Sequence, residues 1–144
     1  MKKPVLIVLI ALLIPTFLLA QEETTPKKYD NPEWYRIVHT KFKTGKRGEY
    51  LKLVEDHFRP VAEKLGRSGP TTYIPISGEW DLIQIFKLSE GMSGYEWETS
   101  PGSIEWNKEL IKQSGGKEKA NEIRAQIQNC ILERKVEINR KKVW

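Results

Sequence analysis

At 144 residues, with 39% hydrophobic and 30% charged side chains, the chain is long enough for one ordinary domain with a core of its own. Its formal net charge of +5 falls to +3 once Lys2 and Lys3 are removed with the N-terminal segment, and the signs stay mixed along the rest, as in Lys52, Glu55, Asp56 and Arg59. A nucleic-acid-binding protein gathers its charge into a basic face, so no nucleic-acid partner is expected, and the single cysteine, Cys130, excludes an intrachain disulfide.

The chain opens with Met1-Lys2-Lys3 and an almost wholly apolar run over residues 4–20, which reads as a secretory signal with Ala20 before the cut. Export to the periplasm or the medium follows. The alternative is an uncleaved anchor: the run is at the lower limit of about 17–25 residues for a bilayer span and carries Pro4 and Pro15, and the membrane would be touched only there. No cysteine stands near the cut, which excludes a bacterial lipoprotein. Residues 21–33 are polar, contain two prolines and lack an apolar period, so a flexible leader is expected before a single domain over residues 34–144.

Residues 34–43 predict a first strand, with Trp34, Val38 and Phe42 on one face and Tyr35, Ile37, His39 and Lys41 on the other. After a turn at residues 44–48, Tyr50, Val54, Phe58, Val61 and Leu65 recur at helical spacing, and Gly66 stops the helix. Pro60 interrupts the pattern and removes one intrahelical hydrogen bond, which predicts a kink near residues 56–58. Residues 69–77 predict a second strand, and Pro75 assigns it to an edge or a bulge. A short turn at Ser77-Gly78 leads into the clearest strand, residues 78–88, where Leu82, Phe86 and Leu88 alternate with Ile83 and Ile85. Apolar residues on both faces predict a central strand covered on both sides.

Beyond it, residues 94–99 read as one helical turn. Ser100-Pro101 is a helix start, with Ile104, Trp106, Leu110 and Ile111 on the apolar side and Gly115-Gly116 as the stop. Ala120, Ile123, Ile127 and Ile131 mark a further helix, and residues 133–142 a lysine- and arginine-rich last strand with Val136 and Ile138 on one face. Strand, helix, two strands, helices, strand is the ferredoxin-like βαββαβ order, α+β with helices on one face of an antiparallel sheet. Such a layer leaves the other face open, while the central strand is apolar on both. A homodimer pairing its sheets would close the second face.

The first strand YRIVHTKFK, the helix GEYLKLVEDHFRPVAEKL and GEWDLIQIFKL followed by WETSP resemble the dimeric α/β-barrel superfamily over residues 34–142, closest to exported members related to antibiotic-biosynthesis-monooxygenase-like proteins. The resemblance implies two ferredoxin-like subunits with paired sheets. The superfamily includes cofactor-independent monooxygenases, muconolactone isomerases and haem-degrading enzymes, so it does not specify a reaction. The haem-degrading members carry a histidine on the second helical segment, whereas this sequence has only His39 and His57.

His39, on the amphipathic strand face, is the first candidate for acid/base work, against the plainer reading of a hydrogen-bonded interface histidine. Asp81 is the second, either as a base or as an acceptor of backbone N–H groups in a turn. His57 on the kinked helix faces either a pocket or solvent beside Asp56 and Arg59. Trp80, Trp97 and Trp106 with Tyr73 and Tyr95 line an aromatic ligand site or fill the core; Tyr35 and Gln84 join Tyr73, Trp80, Trp97 and His57 as ligand-contacting candidates. Metal-ligand spacing, a phosphate-cradling glycine loop and a GxSxG motif are all absent, so neither metal nor cofactor is expected. Two readings remain: a dimer holding a small apolar or aromatic molecule between sheet and helices, or a cofactor-independent monooxygenase or isomerase using His39.

Overall fold

The computed structural model describes residues 25–142, so the expected signal segment and the start of the expected leader lie outside the described residues. The chain divides into residues 1–30 and residues 31–144. In the first unit, residues 25–30 are exposed and form no helix or strand.

The second unit is α+β. Four strands, β1 (Trp34–Phe42), β2 (Thr71–Tyr73), β3 (Leu82–Leu88) and β4 (Ile131–Arg140), form one antiparallel sheet in the order β2-β3-β1-β4. This is the ferredoxin-like arrangement expected from the sequence. Cross-strand partners share a face. Val38, Thr40 and Phe42 of β1 and Leu82 of β3 are buried beneath the helices, which places their partners Gln84, Arg134 and Val136 on that same side.

The first helix runs as α1 (Arg47–Leu53), a π segment (Val54–Phe58) and α2 (Arg59–Lys64). Pro60 lacks the N–H that would bond the carbonyl of Asp56, and the widened turn before it absorbs the defect. Gly66 takes φ +63 while the Arg67 N–H reaches back to the Ala62 carbonyl, a closure that favours glycine. A 3-10 turn (Gly91–Tyr95) replaces the helical turn expected over residues 94–99. Helix α3 (Pro101–Gln113) starts where expected: Ser100 Oγ accepts the Ser103 N–H at 3.1 Å. Helix α4 (Lys117–Cys130) passes into β4 with no loop, and the Lys43 N–H donates to the Cys130 carbonyl.

Two packed clusters make the core. Phe42, Tyr50, Leu82, Ile127 and Cys130 join sheet to helices, and Val61, Leu110 and Ala120 join the helices to one another. Burial holds the Cys130 thiol above its ordinary range, as a small hydrophobe.

Three expectations about the strands need correction. The central strand starts at Leu82, because residues 78–81 form an irregular bend whose last residue is tied to β1. The second strand keeps only Thr71–Tyr73: Pro75 cannot donate to a ladder, and Ile74 and Ile76 point into solvent. The last strand begins earlier than residue 133, at Ile131, with a register shift opposite Lys41 and Phe42. Strand β3 is internal, yet neither core cluster contains Ile83 or Ile85, so the subunit itself covers only one of its faces.

Candidate functional site

The register sorts the candidate residues between two faces. On the open face one row crosses the sheet as Tyr73, Ile83, His39 and Lys135, and the next as Thr71, Ile85, Ile37 and Glu137. Tyr35 follows, between Lys87 and Asn139. Ile37, Ile83 and Ile85 form a half-buried apolar centre, with lysines and glutamates around it.

His39 is held on this face. Its Nε2 lies 3.2 Å from Glu137 Oε2, and the Trp80 ring packs at 5.5 Å between centroids. Lys135 beside it, then His39 itself, hold the Glu137 carboxyl below the usual carboxylate range. An ionised carboxylate only accepts, so Nε2 carries the proton it donates; Nδ1 is buried and without a partner. Chemically this is an imidazole oriented by a carboxylate, able to exchange a proton through Nδ1 when something reaches it.

Asp81 serves the backbone. Its Oδ2 accepts the Phe42 N–H at 2.8 Å and its own N–H donates to the Thr40 carbonyl, which clips β3 to the end of β1. His57 is half-buried in the π segment. The aromatic residues do not gather into one site. Trp80 stacks near His39, Trp106 packs against Phe58 with Arg67 over its ring, and Tyr73, Tyr95 and Trp97 are exposed. Sequence proximity to the central strand linked them; their side chains diverge to opposite sides of the sheet and into loops.

The helix-facing side holds Gln84, between Val38 and Thr72. Next along it lies a residue that the sequence reading passed over. Arg36 sits mid-sheet between Phe86 and Ile138, its guanidinium 4.7 Å from the Phe86 ring centroid, with Nε buried and unpartnered. A charged residue at the even, apolar positions of β1 was the available signal. The roof is incomplete here: Val136 is 53% and Ile138 37% exposed on the side where Val38 is buried. Among the described residues no group of three or more His, Cys, Asp or Glu could hold a metal ion, and no helix is long and apolar enough to cross a membrane.

The fold has solved counterparts. A NIPSNAP family protein with unknown function from Agrobacterium tumefaciens superposes with a TM-score of 0.54 at 15% identity, covering 81% of this chain and 94% of that one. A second NIPSNAP family protein from the same organism gives 0.51 at 12% identity, over 81% of this chain and 92% of that one. The chain shares their fold. A separate crystal structure of the first gives 0.50 at 17% identity, over 74% and 90% of the two chains. No protein-family model matches the sequence, and no curated protein matches it significantly.

Proposed function

We propose that this chain is an exported homodimer that binds a small, partly apolar molecule between its sheet and its helices. The observation that carries the reading is that each face of the sheet leaves apolar surface unfilled, in two different ways. The open face presents Ile37, Ile83 and Ile85 amid interleaved lysines and glutamates, a pattern complementary to a second copy of itself. The helix-facing side is roofed over Val38 but open over Val136 and Ile138, which suits an occupant much smaller than a protein. The N-terminal apolar segment supports export.

A second reading has its own support. The Glu137-oriented His39, with Nδ1 unpartnered, is the arrangement an acid/base residue needs in a cofactor-independent monooxygenase or isomerase of the kind the sequence resembles. Its substrate would lie between the paired sheets, not beneath the helices.

Native mass spectrometry of residues 21–144, purified from an exporting host and compared with the denatured mass, tests the first reading. A dimer carrying additional mass lost on denaturation is the expected result, and a bare monomer overturns it. Loss of turnover in His39→Ala with ligand binding retained would move the assignment to the enzyme.

A further inference from the structure

Resting on the small-molecule reading above, we infer that Arg36 is the anion anchor of the helix-facing site, and that its ligand is an amphipathic monocarboxylate: one carboxylate on the guanidinium, with an aliphatic or aromatic body along Phe86, Val136 and Ile138. Three observations lead there. First, Arg36 is half-buried with Nε sealed from water, and no hydrogen bond or ion pair from the described residues reaches it. A desolvated donor without an acceptor is unfavourable, and stacking on Phe86 satisfies the guanidinium plane but not the N–H groups.

Second, the helix-facing positions of the sheet carry no acidic residue. Every aspartate and glutamate of β3 and β4 lies on the open face or outside the strands, while Arg36, Arg134 and Arg140 share the covered side. The glutamates of the first helix pair elsewhere, Glu49 with Lys46 and Glu55 and Glu63 with Arg59. Among the described residues no salt bridge reaches Arg36. Third, the surroundings of Arg36 are apolar and accessible: Phe86 and Ile138 flank it across the strands, Val136 follows, and the last two are exposed at 53% for Val136 and 37% for Ile138. A fork-shaped cation beside partly exposed apolar side chains matches a planar carboxylate on an apolar body.

The test is calorimetric titration of the protein from an exporting host, stripped of bound lipid, with decanoate and 2-naphthoate against decanol and 2-naphthamide as uncharged counterparts. At least one acid should bind about tenfold or more tightly than its counterpart, the range of a charge-assisted pair. Arg36→Met should bring that acid down to the level of the uncharged compound. Ile138→Glu, which sets a carboxylate directly across from Arg36 at a partly exposed position, should abolish acid binding with the circular dichroism spectrum unchanged. This second variant decides the matter if Arg36→Met does not fold. Equal binding of acid and uncharged counterpart, or acid binding that survives both substitutions, overturns the role of Arg36 and leaves the small-molecule reading standing. Binding of none of the four compounds overturns both.

Discussion

Glu33 shows how a single residue anchors the domain's entry. Its carboxylate receives the Lys87 ammonium, the Lys141 ammonium at 3.1 Å and the Tyr35 hydroxyl at 3.3 Å, and its carbonyl accepts the Lys141 N–H. The bonds to Lys87 and then Lys141 draw its pKa from 4.5 to about 2. A folded-state pKa below the unfolded one means stabilisation that is present above the unfolded value and lost as pH falls through the folded one. Wild type should therefore exceed Glu33→Gln in urea midpoint at about pH 6, with the gap closing between pH 4.5 and about 2. A gap that persists unchanged at the acid end would assign the effect to packing. His39 and Asp81 carry the same lesson in another form. Residue type marked both as able to move protons, but their partners, Glu137 and the Phe42 N–H, lie 98 and 39 residues away in sequence. No local pattern contains that pairing.

At the scale of elements, agreement is closest where the determinant is local. Ser100 caps α3 through its own hydroxyl, and Gly115 at φ +79 closes the other end, with the Gly116 N–H returning to the Ile111 carbonyl. Ser100→Ala should lower stability by about 1 kcal/mol and Ser100→Gly by a few tenths, read from urea unfolding monitored by circular dichroism. Equal losses would mean that the hydroxyl is not the source. The disturbance of the first helix was legible for the same reason, since Pro60 removes a specific hydrogen bond and the chain answers with the π segment Val54–Phe58. Strand lengths were less so. Apolar alternation continues through Ile74 and Ile76, which are exposed, because ladder formation depends on a neighbouring strand as well as on the residues themselves.

For the whole molecule, the decisive feature is a sheet with one covered face. Alternation in β3 required a covering for both sides; the helices supply one, leaving Ile37, Ile83 and Ile85 for the second subunit proposed above. Ile85→Glu puts a charge at the centre of that face, where the side chain is already half-buried. The variant should run as a folded monomer in size-exclusion chromatography with light scattering. A dimer of unchanged strength would place the subunit contact elsewhere and sink the paired-sheet arrangement. The same experiment bears on His39, which shares that face: if a substrate lies between the sheets, the monomer should also lose any His39-dependent turnover.

By itself the sequence determined the order of strands and main helices, the two faces of the first and central strands, and the points where the first helix stops and α3 starts and stops. These follow from backbone periodicity and from the restricted φ or missing N–H of individual residues, which act within a few positions. Tertiary structure alone decided that the five aromatics separate instead of forming one cluster, that His39 meets Glu137, and that Arg36 Nε is buried with no hydrogen-bond partner among the described residues. Each of these depends on register between strands distant in sequence. A one-residue shift of that register would turn every such side chain to the opposite face.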